Sequence, residues 1–278
     1  MSPPRLLAID LDGTLVRRDG SIARDDRVAL AALQQHGVAI VVATGRLYAG
    51  ARSVLDELGL AGVQICADGA QLCDYPNGPI QSHSLRPTAA ALREILAPSG
   101  LSTLVLADDR VLLDGRSAGL RRFAANISPI IEEIDDVLAA SLWEREPGPV
   151  AVVTLGAVVD IDEAERALAT QPLEVLRYDL RADTGMSSLT VRAGGVSKAS
   201  GLRAAAEARG LTLAETAAVG DWLNDISMLE AARVSFAMQH APDIVKHAAD
   251  VTLEASRRSG GAIAEIAACL FEITGLVT

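Results

Sequence analysis

Two carboxylates stand close together near the start of the chain, at Asp10 and Asp12, directly after the apolar run Leu6–Ile9. A short unbroken apolar run followed by a turn sequence predicts a strand that is buried on both faces. Side chains two positions apart on a strand point the same way, so both acids are expected to face one spot and to share a proton or a cation there. The dipeptide Asp12-Gly13 is also typical of a hairpin turn, which would leave the acids on the surface.

Two further polar groups follow apolar runs that are predicted as strands. They are Thr44, Gly45 and Arg46 after residues 38–43, and Asp221, Asn224 and Asp225 after residues 217–219. Ligands of open parallel sheets bind beyond the carboxyl ends of the strands, so neighbouring strands would bring these groups together with Asp10 and Asp12. Asp221 could also cap the helix that follows it, but a cap explains one acid and not a cluster of four.

An acidic cluster of this kind repels itself unless a cation lies within it. Carboxylate oxygens favour Mg²⁺, which binds through one or two carboxylates and keeps several waters. The cluster contains no His or Cys, which are the usual zinc ligands, so a zinc site is not expected. His83, His240 and His247 have no spacing typical of a site and are interpreted as structural or exposed.

Two side chains could bind an anion beside the acids. The Thr44 hydroxyl and the backbone N–H groups around Gly45 suit an anion, although Thr44 could equally cap a helix. Lys198 falls in the first turn of a helix predicted over Ser197–Arg209. A cation there opposes the helix dipole, so Lys198 either has an anion nearby or is a solvated surface lysine.

Strands and helices alternate at both ends of the chain, which is the pattern of a parallel sheet with helical crossovers. In the first part, helices are predicted over Asp25–Gln35 and Leu47–Leu58. The middle of the chain differs, because Leu104–Gly115 consists of two apolar runs around an acidic turn and predicts a hairpin. Alternation returns after Arg192 and ends in a helix predicted over Gly261–Ile273. We therefore predict an inserted domain, the alternative being that the middle continues the first sheet.

Composition excludes several function classes. The net charge of -11 over 278 residues argues against binding to nucleic acid or to an anionic membrane surface. The three cysteines, Cys66, Cys73 and Cys269, form neither a metal-type pair nor an even disulfide set, which favours a reducing compartment. We expect no signal peptide, no membrane span and a cytoplasmic location. Phosphate-loop, dinucleotide-binding, serine-hydrolase and zinc-protease motifs do not occur.

Four short motifs, taken together and in order, resemble the signatures of the haloacid dehalogenase-like hydrolases. They are DLDGTL at 10–15, ATGR at 43–46, GVSKASGL at 195–202 and GDWLND at 220–225. The segment between the second and third motifs resembles the cap of the Cof-like phosphatases. This resemblance covers essentially the whole chain. It implies an α/β fold with a Rossmann-like parallel-sheet core, residues 1–82 and 190–278, and an inserted α+β cap domain, residues 83–189.

The resemblance also implies roles for the residues of the motifs. Asp10 would be the nucleophile that forms an aspartyl-phosphate, and Asp12 the general acid and then the base. The implied Mg²⁺ ligands are Asp10, Asp12 through its backbone carbonyl, Asp221 and Asp225, the last either supporting the metal or holding Lys198. The implied substrate-binding residues are Thr44, Gly45, Arg46, Lys198 and Asn224.

These roles together predict a Mg²⁺-dependent phosphatase that hydrolyses a small phosphate monoester, such as a sugar phosphate or a related metabolite. A phosphomutase on the same core is one alternative, and a non-enzymatic phospho-acceptor module is another. Two departures from the family pattern bear on the substrate. Asp68 stands where Asn is frequent and adds negative charge, and Trp222 is unusually large for its position. We expect Trp222 either to lie at the mouth of the site or to pack in the core. The oligomeric state is not predicted.

Overall fold

The computed structural model describes residues 3–180 and 184–271. Its strands are β1 (Leu6–Ile9), β2 (Ala39–Val42), β3 (Gly62–Cys66), β4 (Gln71–Tyr75), β5 (Gly78–Ser82), β6 (Ser102–Ala107), β7 (Arg110–Leu113), β8 (Ile130–Glu133), β9 (Pro149–Ala157), β10 (Leu173–Asp179), β11 (Met186–Ala193), β12 (Thr216–Gly220), β13 (Val234–Ala237) and β14 (Val251–Thr252). Its helices are α1 (Arg24–Gln35), α2 (Tyr48–Glu57), α3 (Ala89–Leu96), α4 (Arg121–Ile127), α5 (Ala140–Trp143), α6 (Val158–Leu168), α7 (Lys198–Glu207), α8 (Ile226–Ala231), α9 (Asp243–Ala248) and α10 (Ala262–Phe271).

The central sheet is parallel and has the strand order β14-β13-β12-β1-β2. The strand β1, between β12 and β2, is fully buried because helices cover both faces of the sheet. Leu7 and Ile9 pack on the side of α1 and α10, whereas Leu6 and Ala8 pack on the side of α7 and α8. Alternate side chains therefore enter two different cores, which explains the unbroken apolar run. The predicted α/β fold with a parallel-sheet core is confirmed.

A second sheet has the order β10-β11-β9-β6-β7-β8, and all its pairs are antiparallel except β7 with β8. The hairpin predicted over Leu104–Gly115 is confirmed as β6 and β7. One face of this sheet is covered by α3 and α6. The other face carries Leu106 and Val153, which pack in one cluster with Leu47 and Ala67 from loops of the parallel sheet. The second sheet thus lies over the carboxyl ends of the parallel strands.

The alternation of strands and helices had suggested that β3 extends the parallel sheet, but this expectation was wrong. Only Ile65 of β3 forms a parallel bridge, with Ala43, the residue after β2. It pairs instead with β4 in a three-stranded antiparallel sheet of order β3-β4-β5. The reason is the tight turn after Cys66, where Ala67 and Asp68 both have positive φ and send the chain back along β3.

The division into a core, residues 1–82 and 190–278, and an inserted cap, residues 83–189, stays a prediction. β11 pairs with β9 as far as Arg192, beyond the predicted end of the cap at residue 189. The predicted final helix Gly261–Ile273 is observed as α10, and the last two residues of that prediction lie outside the described residues. None of the helices in the described part of the chain has the length and apolarity required to cross a membrane.

Asp26 in α1 is fully buried and joins this helix to α10. Its carboxylate accepts hydrogen bonds from the backbone N–H groups of Gly261 and Ile263 at 2.8 Å each, and from Ala264 at 3.4 Å. These are donors at the start of α10 that have no partner within the helix. A side chain from the other end of the chain therefore caps this helix.

We expect Asp26→Ala to lower the free energy of unfolding by roughly 2–4 kcal/mol, because it leaves buried N–H groups unpaired. Urea denaturation followed by circular dichroism measures the change. Asp25→Ala, one residue earlier on the more exposed side of α1, is the matched control and should change stability little. Equal stability of the two variants would show that Asp26 does not hold α10.

Candidate active site

Lys198 is the centre of the site. It is the first residue of α7 and is fully buried, and its ammonium Nζ donates to Asp10 Oδ1 at 2.7 Å and to Asp225 Oδ1 at 2.6 Å. Asp10 follows β1, and its backbone N–H donates to the carbonyl of Val219 in β12. Two neighbouring strands therefore bring Asp10 and Asp225 to one lysine, as predicted for the carboxyl edge of the sheet.

Asp225 uses both of its carboxylate oxygens within the protein. Oδ1 accepts from Lys198, and Oδ2 accepts from the backbone N–H groups of Asp221 and Trp222, both at 2.9 Å. Asp225 is thus the acid that caps this turn. The sequence had indicated Asp221 as the possible cap. Gly220 is required here, since an added Cβ would lie 2.4 Å from the Asp225 carboxyl carbon. Of the two roles open to Asp225, the contacts favour holding Lys198.

Asp221 has a different set of partners. Its Oδ1 lies 3.5 Å from the Thr14 hydroxyl, and its Oδ2 accepts from Arg257 Nη2 at 2.8 Å and from His240 Nε2 at 3.0 Å. His240 Nδ1 accepts the backbone N–H of Arg257, so Nε2 carries the hydrogen that is donated to Asp221. His240 thus contacts a predicted site residue, which the sequence interpretation of His240 as structural or exposed had not included. No sequence pattern indicates His240 or Arg257 as partners of Asp221, because they lie 19 and 36 residues from it.

The buried acids are electrostatically strained. Burial, and then repulsion by Asp225, raise the pKa of Asp10 well above its ordinary value, and burial also raises the pKa of Asp225. Burial alone would lower the pKa of Lys198, but attraction to Asp10 and Asp225 outweighs it and raises this pKa. The protein's own cations at this place, Lys198 and Arg257, are fewer than the three acids. A negative excess therefore remains.

The donor set fits Mg²⁺. Asp10, Asp221 and Asp225 each offer a carboxylate oxygen, and these atoms lie within 4.8 Å of one another. All the donors are hard oxygens, which suit Mg²⁺. Asp10 Oδ2 accepts no hydrogen bond from the described residues, so it is open to a ligand. Both oxygens of Asp225 are held at 2.6 to 2.9 Å, whereas Asp221 Oδ1 contacts only the Thr14 hydroxyl among the described residues, at 3.5 Å, so Asp10 and Asp221 are the better candidates for direct contact.

The Asp12 carboxylate lies apart from this cluster. β1 ends at Ile9, so strand alternation does not orient Asp12, and its side chain is half exposed. Arg46 binds it through two hydrogen bonds, Nε to Oδ2 at 2.8 Å and Nη2 to Oδ1 at 2.5 Å. The pairing with Asp12 raises the pKa of Arg46. Metal binding through the backbone carbonyl of Asp12 stays a prediction.

The remaining predicted binding residues surround the same place. Thr44 is buried, and its hydroxyl accepts the backbone N–H of Arg46 at 3.1 Å rather than capping α2. Its own hydrogen can be donated to a ligand. Gly45, Arg46 and Asn224 line the cavity.

Asp68 is neutralised by a residue that sequence reasoning missed. Its carboxylate accepts from Arg192 Nη1 at 2.8 Å and from Asn224 Nδ2 at 2.8 Å, and it lies 3.9 Å from Lys198 Nζ. Arg192 is buried in β11, in the second sheet. The negative charge of Asp68 is therefore balanced by Arg192. This ion pair joins the second sheet to the turn after β3.

A cavity of about 700 Å³ lies between the acidic cluster and the second sheet. Its sheet side includes Leu106, Val153 and Tyr178, and burial raises the pKa of the Tyr178 hydroxyl. Trp222 lines the cavity with 43% of its surface exposed. The alternative that Trp222 packs in the core was wrong, and its place at the mouth of the site is confirmed.

The sequence and the fold were compared with known proteins. A family model described as haloacid dehalogenase-like hydrolase matches residues 7–266. The chain is 27% identical over 261 residues to 5-amino-6-(5-phospho-D-ribitylamino)uracil phosphatase YcsE of Bacillus subtilis, covering 92% of each protein. It is 26% identical over 269 residues to pyridoxal phosphate phosphatase YbhA of Escherichia coli, covering 90% of this chain and 93% of that protein. The structure of BT1666 from Bacteroides thetaiotaomicron, described as a phosphatase of the same superfamily, superposes with a TM-score of 0.81 at 21% identity, covering 98% and 96%.

The chain belongs to the haloacid dehalogenase-like hydrolases, the class that its parallel sheet and acidic cluster define. Within this family its relatives are the Cof-like phosphatases, as the four motifs predicted. It is accordingly an enzyme, a phosphoric monoester hydrolase.

The buried lysine can be tested through stability. Lys198→Met should lower the free energy of unfolding by about 3–5 kcal/mol, because it leaves two buried carboxylates without their cation. Urea denaturation with a chelator present measures the change without interference from metal. Lys246, in α9, is the other lysine of the chain, and Lys246→Met is the matched control. A loss no larger than that of the control would contradict the central role of Lys198.

Proposed function

We propose that this enzyme is a Mg²⁺-dependent phosphatase that hydrolyses a small phosphate monoester through an aspartyl-phosphate on Asp10. One observation carries the proposal. Asp10 lines the cavity, its Oδ1 is held by Lys198, and its Oδ2 accepts no hydrogen bond from the described residues. A carboxylate oriented through one oxygen and open at the other is arranged for attack on phosphorus.

Asp10 and Asp221 would hold the Mg²⁺ ion together with the backbone carbonyl of Asp12. The ion, when bound, supplies positive charge to the phosphoryl oxygens. Lys198 adds a second positive charge on the other side of Asp10, and the Thr44 hydroxyl and Asn224 amide can donate to the same oxygens. The protein's part in the reaction is to place Asp10 and to balance charge.

Asp12 is proposed as the acid and base. Its carboxylate is half exposed and lines the cavity, so it can reach an oxygen of the leaving group. We propose that Arg46 turns from Asp12 to the phosphoryl oxygens when the substrate enters. The freed Asp12 takes up a proton from solvent, gives it to the leaving oxygen as the bond from that oxygen to phosphorus breaks, and later takes a proton from the attacking water.

The substrate is proposed to be a sugar phosphate or a related cytoplasmic metabolite. The cavity volume of about 700 Å³ suits a small molecule and lies within the range of ligand pockets. Relatives named for 5-amino-6-(5-phospho-D-ribitylamino)uracil and for pyridoxal phosphate show that this architecture serves different small phosphates. The exposed Trp222 and Phe123 at the rim favour a leaving group with a surface that stacks or packs on them.

We expect Asp10→Asn to lower phosphate release by at least about a thousandfold, because the amide is not a nucleophile. The measurement is release of inorganic phosphate from a panel of phosphate esters with Mg²⁺ present and with chelator. Asp160→Asn, an exposed position on α6, is the control and should retain activity. Near-normal turnover by Asp10→Asn would remove Asp10 as the nucleophile. Formation of an isomerised sugar phosphate in place of free phosphate would identify a phosphomutase.

The role of Asp12 predicts a dependence on the leaving group. Asp12→Asn should slow hydrolysis of a sugar phosphate by about a hundredfold or more, because its alkoxide needs a proton. p-Nitrophenolate needs none, so p-nitrophenyl phosphate should still react with Asp10, and the slowed second step should give a burst of p-nitrophenolate. Rapid-mixing absorbance measurements record that burst. Equal losses on both compounds, without a burst, would contradict the assignment of Asp12.

A further inference from the structure

Three of the arginines that line the cavity have no role in the proposed reaction. They are Arg17, Arg18 and Arg257, and the established motifs include none of them. Arg17 and Arg18 lie in the loop after β1, whereas Arg257 precedes α10. The two segments lie close together, since a Cβ added at Gly260 would lie 3.6 Å from Arg17 Cδ. In a chain with a net charge of -11, three arginines at one wall are a local concentration of positive charge.

These arginines are not fully used within the protein. Among the described residues, three buried side-chain polar atoms lack a hydrogen-bond partner, and two of them are Arg17 Nε and Arg257 Nε. Leaving such a donor buried and unpaired costs free energy, so native proteins rarely do so without a reason. The salt bridges of the described residues include none from Arg17 or Arg18, and Arg257 reaches only Asp221, through Nη2.

Neutralising the acidic cluster accounts for Arg257 alone. Its guanidinium pairs with Asp221, whereas Arg17 and Arg18 make no salt bridge in the described part of the chain, and Arg17 has a longer-range attraction to the exposed Asp19. The reacting phosphoryl group has its own proposed donors, at Lys198 and Asn224. Neither requirement therefore explains Arg17 and Arg18.

We propose that Arg17, Arg18 and Arg257 form a second anion subsite, which binds a second phosphate group of the substrate. Guanidinium groups bind phosphate oxygens through pairs of charge-assisted hydrogen bonds, and a modest turn of the side chain would also bring Nε to the ligand. Arg257 contacts Asp221, so the subsite adjoins the phosphoryl site. This inference rests on the proposed phosphatase function and names its substrate class: sugar phosphates or related metabolites that carry two phosphates.

Binding is tested in the Asp10→Asn protein, in which the substrate is not consumed. Isothermal titration calorimetry compares fructose 1,6-bisphosphate with fructose 1-phosphate and fructose 6-phosphate. We expect the bisphosphate to bind at least about tenfold more tightly than either monophosphate. Adding Arg17→Met should reduce that ratio by about tenfold, and adding the exposed Arg18→Met should reduce it in the same direction. Adding Arg203→Met, an exposed position on α7, should not.

A bisphosphate that binds no better than the monophosphates overturns the subsite, as does an equal ratio in the Arg17, Arg18 and Arg203 variants. If Arg17→Met fails to fold, Arg18→Met decides alone, because its side chain is exposed. Phosphate release by the wild-type enzyme from the same three compounds tests the proposed function separately. Hydrolysis without preference overturns the subsite only, and tight bisphosphate binding without hydrolysis overturns the phosphatase proposal only.

Discussion

The site depends on one buried ammonium group. Lys198 lies at the first position of α7, where the helix dipole opposes a cation, and none of its surface is exposed. Asp10 and Asp225 compensate for both costs through hydrogen bonds of 2.7 and 2.6 Å. The same bonds orient Asp10 and, through Asp225, the turn that carries Asp221. One ion-pair network therefore sets the positions of the proposed nucleophile and of a proposed metal ligand.

A second buried ion pair relates the site to the sheet above it. Arg192 in β11 binds Asp68 in the turn after β3, and Asp68 also binds Asn224. A buried charge that loses its partner is strongly destabilising, so this contact has one favourable arrangement. It connects the second sheet, which would enclose the proposed leaving group, to residues beside the proposed phosphoryl site. The Asp at position 68 and Arg192 are best understood as one unit.

The cavity is uneven in character, and this suits a phosphate ester. Its floor carries Asp10, Asp12 and Asp221, with Lys198 buried against Asp10, whereas its roof includes the apolar Leu106 and Val153 of the second sheet. A substrate with one charged end and one less polar end fits such a division. Arg17, Arg18 and Arg257 add positive charge to the cavity wall. The local charge there thus differs in sign from the net charge of the chain.

Much of the fold and part of the site could be predicted from the sequence, because local signals carry them. Leu6–Ile9, the glycine at 13 and the acids at 10, 221 and 225 are encoded by apolar runs, turns and short motifs that need no distant partner. The antiparallel course of β3 and β4 was not foreseen, since it follows from the positive φ at Ala67 and Asp68.

Long-range contacts within the site could not be predicted for a related reason. The pairs of Asp68 with Arg192 and of Asp221 with His240 and Arg257 join residues 124, 19 and 36 positions apart, and no spacing rule encodes them. The sequence by itself determined which side chains can perform the chemistry. Only the tertiary structure decided which oxygen of Asp10 is open and which cations stand beside it, because those depend on how separate strands and loops pack together.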